Sequence, residues 1–545
     1  KTHPEFNEFE GVKVSIPKTV VLCTDVFDQF MDNNNLYQLA LSDAPDEEIL
    51  QAFIKAQLPD QFIDDFKTFF EAIRHPIAIR SSSLLEDSHY QPFAGIYSTY
   101  MIPYLDDKDE MLRMLAAAIK SVYASVYFKD SKAYMTATRN VIDQEKMAVI
   151  LQEVVGKQYG DHFYPNFSGV LRSINYYPLG YEKSEEGIAS LALGLGKYIV
   201  DGGQTLRVSP YHPTQVLQTS DMEIALRQTQ TQFYALDMKR VGVDFKVDDG
   251  FNILKLKVKD AENDGALNFI ASTYDANDRV IRDGLYDGGR KIVSFNGVLR
   301  HGVFPLPELL KLSMHHGADS MRRPVEIEFA CTLNDDRTGE FYLLQIRPIV
   351  DSKQVLDQDI MTIPDDKCLL RSHNSLGHGV SDDIVDVVYV KTDENFTASD
   401  NPVVAMEVER INKKFLADGK NYVLVGPGRW GSSDSWLGVP VKWPHISAAK
   451  LIVETTLKNY SVDPSQGTHF FQNLTSFGVG YFTIDENKGM GFFRKEILDA
   501  MPAVEETPHV RHVRFSKPLH IMMDGMKQEG LVICDTEDAK GNDAR

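Results

Sequence analysis

The chain has 545 residues and a formal net charge of −21 at pH 7, with 43% hydrophobic and 25% charged residues. At roughly 100–200 residues per domain, this length predicts three or four domains or lobes, and the negative charge argues against nucleic acid and anionic membranes as partners. Four widely spaced cysteines, no secretory signal and no run of about 18 apolar residues indicate a cytoplasmic protein without a membrane span.

The first predicted elements alternate short strands with helices. The chain begins with Lys1 rather than Met, and we expect it to be a fragment of a longer protein. Val20–Cys23 is predicted to be a buried strand, and residues 46–56 an amphipathic helix with acidic residues in its first turn. A further strand, His75–Arg80, is expected to end in the serines at 81–83.

The clearest helix is predicted to begin near Lys108. Apolar residues recur there at i, i+3, i+4, i+7 and i+8, namely Met111, Met114, Leu115, Ala118, Ile119, Val122 and Val126. This spacing is typical of a helix that packs one face against a core.

The remaining elements are predicted from short apolar runs and turn residues. Strands are expected at 147–155, 188–195, 325–331, 340–346, Tyr422–Val425 and Leu451–Val453, and a strand, a turn and a second strand over Phe515–Ile533. Residues 240–302 suggest hairpins or an insertion, residues from about 350 to 367 a linker, and residues 535–545 a loose end.

A possible phosphate-binding stretch follows the strand that ends at Arg80. Three serines come next, then Glu86-Asp87, Phe93-Ala94-Gly95 and finally Thr99. The arginine fork matches phosphate oxygens, and the amides of a small Ala-Gly turn form a concavity for anions. A capped surface loop is the alternative interpretation.

Two further stretches have possible ligand roles. Gln152, near the end of a predicted strand, can hydrogen-bond to an adenine edge while apolar neighbours such as Val154 cover the ring. The alternative is an ordinary core strand, since many of these have the same pattern. The segment Leu193–Lys197 fails the dinucleotide pattern GxGxxG because Ile199 replaces its third glycine.

The last stretch of interest pairs two predicted strands. Antiparallel pairing can place Glu328 beside Gln345, whose carboxylate and amide oxygens are hard ligands suited to Mg²⁺. Arg347 would then meet phosphate from the same edge. The alternative is a salt bridge between glutamate and arginine on a sheet.

Together, these stretches resemble the nucleotide-binding domain of the pyruvate phosphate dikinase and phosphoenolpyruvate synthase family. The resemblance covers about residues 1–350, with Lys197 where the family has glutamate and the family's Gly-Gly-Lys loop expected before Lys1. The matching residues are Arg80-Ser81-Ser82, Glu86-Asp87, Phe93-Ala94-Gly95, Thr99, Gln152, Ser168-Gly169-Val170, Gly194-Leu195-Gly196, Glu328 and Gln345-x-Arg347-Pro348.

The resemblance implies an ATP-grasp-like domain of two lobes that clamps Mg-ATP between two sheets. The residues it implies for phosphate are Arg80, Gly95, Thr99 and Arg347, of which the two arginines are also expected to be catalytic. It further implies Glu328 and Gln345 for Mg²⁺, and Gln152 and Val154 near adenine.

A second domain over 368–545 resembles the family's small swivelling domain, which carries a phosphorylated histidine. The segment Gly467-Thr468-His469 makes His469 the candidate phosphate carrier, with a buried structural histidine as the alternative.

Residues 426–433 resemble a Walker A loop, but Ser432 stands where its lysine is required. The pairs His315-His316 and His509-x-x-His512 lack further ligands at metal spacing, so we predict structural or surface roles for them.

We therefore predict a multi-domain protein of α/β and α+β class. An ATP-grasp-like domain with lobes at 1–145 and 146–352 precedes a linker at 353–367 and a swivel-like β/β/α domain at 368–545. The predicted function is an ATP-dependent phosphotransferase that passes phosphate through His469 to an unidentified acceptor. The alternative is a non-catalytic ATP-binding sensor within a larger protein, and further domains of the family are expected outside this chain.

Overall fold

The structure is a computed structural model of the chain. The residues it describes are 3–83, 97–138, 145–175, 182–220, 222–242, 244–248, 250–349, 360–392, 396–432, 434–456, 479–525 and 527–534. Two of the predicted site residues, Gly95 and His469, lie outside the described residues, as does the predicted loose end at 535–545.

The described chain forms two compact units. The N-terminal unit holds nearly all described residues up to Ile349, and the C-terminal unit holds those from Ile360 onward together with Asp201–Gly203. All four cysteines are described and none forms a disulfide.

The α-helices are numbered along the chain. In the N-terminal unit they are α1 Thr24–Asn33, α2 Tyr37–Ala40, α3 Asp46–Lys55, α4 Ile63–Ala72, α5 Lys108–Ser125, α6 Lys129–Thr138, α7 Lys197–Val200, α8 Met222–Gln228, α9 Val258–Asn263, α10 Asn296–Leu299 and α11 Leu306–Met321. In the C-terminal unit they are α12 Asn401–Asp418 and α13 Lys495–Ala500.

The strands are numbered in the same way. In the N-terminal unit they are β1 Val12–Ser15, β2 Thr19–Leu22, β3 Ile77–Ser83, β4 Tyr100–Ile102, β5 Met147–Glu153, β6 Lys157–Tyr159, β7 His162–Tyr164, β8 Phe167–Arg172, β9 Ile188–Ala192, β10 Leu206–Val208, β11 Gln232–Asp237, β12 Ile253–Lys257, β13 Ala271–Asp275, β14 Val280–Asp283, β15 Arg290–Val293, β16 Val325–Leu333 and β17 Gly339–Pro348. In the C-terminal unit they are β18 Cys368–Ser372, β19 Ser375–Leu376, β20 His378–Val390, β21 Tyr422–Pro427, β22 Arg429–Trp430, β23 Gly438–Val439, β24 Ala449–Thr455, β25 Gly480–Ile484, β26 Gly491–Phe493, β27 Ala503–Glu506, β28 Val510–Asp524 and β29 Glu529–Ile533.

Helix α5 begins at Lys108, as predicted, and has the predicted buried stripe. Its N-cap residue Asp107 accepts hydrogen bonds from the amides of Asp109 and Glu110, which satisfies donors that a helix start leaves open. Its apolar residues are buried, and it contacts β3, β4 and β5. Lys108–Ala133 is long and apolar enough to span a membrane, but 78% of its apolar window is buried within the protein, as in a core helix.

Two sheets of the N-terminal unit position the site. The first, called the lobe 1 sheet, has the order β2-β5-β3-β4, and the second, the lobe 2 sheet, has the order β1-β17-β16-β8-β9-β10. The predicted lobe boundary at 145/146 does not separate these sheets. Strand β5 joins the lobe 1 sheet between β2 and β3, whereas β1 pairs in parallel with β17 in the lobe 2 sheet.

The prediction of a buried strand at Val20–Cys23 was right about the strand and wrong about its burial. Strand β2 lies at the edge of the lobe 1 sheet, where Val20 and Val21 are 42% and 51% exposed. The predicted hairpins at 240–302 are found as a three-stranded sheet of β14, β13 and β15, with β12 in a separate sheet beside β11.

The described part of the C-terminal unit is built on a ten-stranded mixed sheet and a short parallel pair of β22 and β23. Its order is β19-β25-β24-β21-β20-β28-β29-β18-β26, with β27 beside β28. Strands β20, β21, β24 and β25 run parallel, and α12 provides the crossover between β20 and β21.

Part of the predicted linker is packed. Ile360 and Ile363, in and beside short 3₁₀ turns, are buried against Cys368, Met522 and Leu531 of the C-terminal unit. Apolar residues within a polar connection are the signal for this packing, because isoleucine side chains are seldom left in water when a core is near.

Candidate functional site

Strand β3 carries Arg80 to the middle of the lobe 1 sheet. Arg80 lies opposite Ile150 and Ala78 opposite Gln152, so Arg80 and Gln152 project from the same face of the sheet. The Arg80 Nη1 atom donates to Gln152 Oε1 at 3.4 Å. Gln152 also donates to the carbonyl of Leu344 at 3.3 Å, which connects the lobe 1 sheet to β17.

Strands β16 and β17 contribute the second half of the site. Their antiparallel register places Glu328 opposite Gln345 and Glu326 opposite Arg347, which confirms the predicted pairing of Glu328 with Gln345. Because residues two apart share a face, all four side chains project from one face of the lobe 2 sheet. A register shift between Glu328 and Phe329 marks the end of this polar stretch.

Arg80 joins the two halves. Its Nη2 atom donates a short hydrogen bond to Gln345 Oε1 and lies 3.4 Å from Glu328 Oε2. The other oxygen of Glu328 lies 3.4 Å from Nη2 of Arg347. Arg80, Gln152, Glu328, Gln345 and Arg347 therefore form one cluster, which we call the arginine cluster.

The cluster is open at one end and closed at the other. The Arg80 side chain is 21% exposed and Glu328 15% exposed, whereas Arg347 is only 7% exposed. A ligand can therefore reach Arg80 first, and the guanidinium of Arg347 is anchored from behind.

That anchor is a buried ion triad that sequence reasoning missed. Glu326 Oε1 accepts from Arg347 Nε at 3.0 Å, and Glu326 Oε2 accepts from Arg172 Nε at 2.7 Å. Burial opposes ionisation of Glu326, but the charges and hydrogen bonds of Arg172 and Arg347 outweigh it and lower its pKa. The sequence signal for Arg172 is the Glu326-x-Glu328 alternation. It places two carboxylates on one face of β16, where a second cation besides Arg347 is a favourable partner.

The other described candidates lie around this cluster. Thr99 directly precedes Tyr100, which pairs with Ile79 next to Arg80. Val154 is buried in a hydrophobic core of the unit, and its amide donates to the carbonyl of Pro76 at 2.8 Å. Gln152 engages both ends of its amide within the protein, with Arg80 on one side and Leu344 and Thr19 on the other.

The glycine turn at 194–196 packs against β8 and β11. Gly194 has a φ of +86°, and a Cβ there would meet the carbonyl oxygen of Tyr234 at 2.6 Å, so only glycine fits. Ser168 donates to the carbonyl of Gly194 at 2.8 Å. Lys197 then starts α7.

The two sheets meet through arginine, carboxamide and carboxylate groups. Residues 5–367 match the family profile of the pyruvate phosphate dikinase AMP/ATP-binding domain. The chain therefore belongs to this family, as its sequence motifs predicted, and ATP is the nucleotide that the family indicates.

A curated relative is similar over a shorter stretch. The chain is 27% identical over 190 residues to the uncharacterized phosphotransferase YvkC of Bacillus subtilis (strain 168). The match covers 35% of this chain and 20% of the relative, so it spans about a fifth of that protein's length.

Proposed function

We propose that the chain is an ATP-dependent phosphotransferase of the dikinase type. The observation that carries this proposal is the arginine cluster, in which Arg80 of the lobe 1 sheet meets Glu328 and Gln345 of the lobe 2 sheet. Family membership and a relative named as a phosphotransferase support the reaction class. Phosphoryl transfer needs mainly positioning and charge neutralisation, which such a cluster can supply.

In this proposal Arg80, Thr99 and Arg347 hold the phosphates. Arg80 is the most exposed of the described cluster cations, and its fork can exchange protein oxygens for phosphate oxygens. Arg347 is held by Glu326 and would keep its orientation as the nucleotide enters. The roles proposed for Gln152 and Val154 near adenine, and for the turn at Gly95, rest on the family resemblance.

The donor set fits Mg²⁺ in chemical type. The carboxylate of Glu328 and the amide oxygen of Gln345 are paired across β16 and β17, and hard oxygens are the ligands that Mg²⁺ prefers. Both oxygens accept from Arg80 in this structure, so a cation and the guanidinium compete for them. We propose that Arg80 moves from these oxygens to phosphate when Mg-ATP binds; the ion would supply charge neutralisation.

Nucleotide binding is tested by isothermal titration of the full chain with Mg-ATP. Loss of a charge-assisted hydrogen bond costs about 1.5–3 kcal/mol, so Arg80→Gln should weaken binding roughly tenfold to hundredfold. The matched control is Arg113→Gln on α5, an arginine whose side chain is 62% exposed and which pairs with Glu110. Equal affinities of the wild type and Arg80→Gln would refute the placement of the nucleotide.

Phosphoryl transfer is tested by intact mass after incubation with Mg-ATP. We propose that a nitrogen of His469 attacks a phosphorus of ATP, with the remaining nucleotide as leaving group, and that the phosphohistidine then passes the group to an acceptor. An acid-labile added phosphate should be present in the wild type and in His520→Ala, and absent in His469→Ala. An added phosphate that persists in His469→Ala would exclude this residue as the carrier.

The alternative proposal is a non-catalytic ATP-binding module. The observation that favours it is Lys197, which stands where the family pattern has a glutamate. ATP binding without any added phosphate and without ATP consumption would support this alternative.

A further inference from the structure

A group of potential metal ligands lies outside the arginine cluster. Within the described part of the chain, His3, Glu5 and His316 each offer one ligand atom, and these atoms all lie within 4.8 Å of one another. The Glu5 Oε2 and His316 Nε2 atoms are 3.9 Å apart, and the two imidazole rings have centroids 4.0 Å apart.

Two of these ligand atoms are buried without a hydrogen-bond partner. Among the described residues, Glu5 Oε2 and His316 Nε2 are both shielded from solvent and have no hydrogen-bond partner, since the 3.9 Å between them is longer than a hydrogen bond. Leaving a buried polar atom unsatisfied costs about 1–3 kcal/mol. Two such atoms aimed at the same point are explained if a cation lies between them.

Both sides of the group are held in place by the fold. His3 directly precedes the 3₁₀ turn Pro4–Asn7, and Phe6 of that turn packs against the core, with its ring 5.8 Å from the His316 ring. On the other side, α11 packs closely on the lobe 2 sheet, since a Cβ on Gly317 would meet Ile346 Cδ1 at 2.9 Å. The ligand atoms therefore converge before any ion binds.

The group is separate from the nucleotide site. Helix α11 packs against Val325, Ile327 and Ile346, which alternate along β16 and β17 with the residues of the arginine cluster. Since alternate residues of a strand face opposite sides, α11 covers the face of the lobe 2 sheet opposite to that cluster.

We propose that His3, Glu5 and His316 form a binding site for a zinc-like divalent transition metal. Two neutral imidazoles and one carboxylate favour such ions over Mg²⁺ and Ca²⁺, which prefer oxygen ligands alone. Ligand atoms on a tetrahedral zinc at about 2.0–2.1 Å are about 3.4 Å apart, so the group is up to about 1.4 Å wider than a loaded site. The metal would cross-link the start of the described chain to α11.

The test is a zinc titration of the full, chelator-treated chain in competition with a chromophoric chelator. We expect one equivalent of zinc to bind. Binding should be at least about hundredfold weaker in His316→Gln and in Glu5→Gln, because losing a direct ligand weakens metal binding more than losing a residue that only hydrogen-bonds to a ligand. The matched control is His315→Gln, which removes a neighbouring histidine that is 70% exposed and contacts Asp319.

A second measurement separates loss of the site from loss of the fold. Glu5 is 46% exposed, so Glu5→Gln should still fold in chelator and should lose the rise in melting temperature that zinc produces in the wild type. The same zinc affinity in Glu5→Gln and wild type would overturn the proposal. No zinc binding by the wild type, or equal loss in His315→Gln, would also overturn it.

Discussion

Glu326 of the N-terminal unit and Glu454 of the C-terminal unit are both almost completely buried, and their two carboxyl groups respond in opposite ways. Glu326 in the N-terminal unit is 4% exposed and Glu454 in the C-terminal unit is 3% exposed. The pKa of Glu326 is lowered, because Arg172 and Arg347 outweigh the effect of burial. Burial raises the pKa of Glu454 to about 7, and its closest partners cannot offset that.

The difference lies in the charge of the neighbours. Glu454 accepts hydrogen bonds from three neutral donors, the Tyr481 hydroxyl, the Trp430 amide at 3.3 Å and the Thr483 hydroxyl at 3.4 Å, and the charge of Arg429 lowers its pKa too little to offset burial. Glu326 accepts from two guanidinium groups. Burial alone therefore does not decide whether a carboxyl group is ionised; the opposite charges beside it also count.

The largest expected effect is that of Glu326→Gln. Removing the anion leaves two buried guanidinium groups around a neutral amide, which should lower the free energy of unfolding by about 3–5 kcal/mol. The pKa of Glu326 is lowered on folding, so its contribution is present above the ordinary carboxyl pKa and is lost as the pH falls through the folded value.

Urea unfolding at several pH values measures both parts of this prediction. The difference between wild type and Glu326→Gln should be largest near neutral pH and should shrink in acid. A difference below about 1 kcal/mol at pH 7 would mean that the ion triad does not stabilise the unit, as found for some buried pairs.

Glu454→Gln should have the next largest effect, in the opposite direction. The folded state prefers the protonated carboxyl, so the wild-type contribution is complete below the ordinary value of 4.5 and is lost as the pH rises to about 7. This amounts to roughly 3 kcal/mol. At pH 8 the Gln variant should therefore be more stable than the wild type. The decline in stability with rising pH that we expect of the wild type should be absent from the variant.

Tryptophan fluorescence reports this transition selectively, because Trp430, Trp436 and Trp443 are the three tryptophans of the chain and all belong to the C-terminal unit. The change in their fluorescence during urea unfolding, measured from pH 4.5 to pH 8, gives the free energy of unfolding of that unit. If the free energy of unfolding of the wild type does not fall over this range, folding does not raise the pKa of Glu454.

Tyr481→Phe should have a smaller effect on the same group. The hydroxyl of Tyr481 donates to Glu454 and lowers the pKa of that carboxyl group. Removing the hydroxyl should therefore raise the pKa of Glu454 further and lower the free energy of unfolding by about 1–2 kcal/mol above pH 7. The fall in stability should move to higher pH in the same fluorescence experiment. An unchanged midpoint would indicate that water replaces the hydroxyl.

Lys13→Gln should have the smallest effect. Lys13 contacts Glu340 at 2.7 Å, but the two side chains are 68% and 33% exposed. Exposed ion pairs contribute about 0–1 kcal/mol and are screened by salt. Urea unfolding at low and high salt measures this, and a cost comparable to that of Glu326→Gln would contradict the importance assigned to burial.

Much of the fold was predictable where the signal is local. The apolar stripe of α5 and the two strands around Asp524-Gly525 were found by spacing and turn chemistry, and the structure confirms both. The pairing of Glu328 with Gln345 was also predictable, because alternation in two adjacent strands limits the possible registers.

The errors concern which element packs against which. Val20 and Val21 are as apolar as core residues, but no strand pattern shows that β2 lies at a sheet edge. The assignment of β5 to the first sheet depends on pairing with β3, some seventy residues earlier. Such pairings depend on long-range packing, which a reading of short segments does not contain.

The sequence by itself determined the family, the helix and strand periods and most members of the arginine cluster, because these depend on residue types at short, regular spacing. Only the tertiary structure decided that Arg172 completes the ion triad behind Arg347. In the same way, it brought His3 and Glu5 to His316, a histidine for which we predicted a structural or surface role from the sequence. The physical reason is that ligand convergence and burial come from contacts between residues hundreds of positions apart, and only the folded chain brings them together.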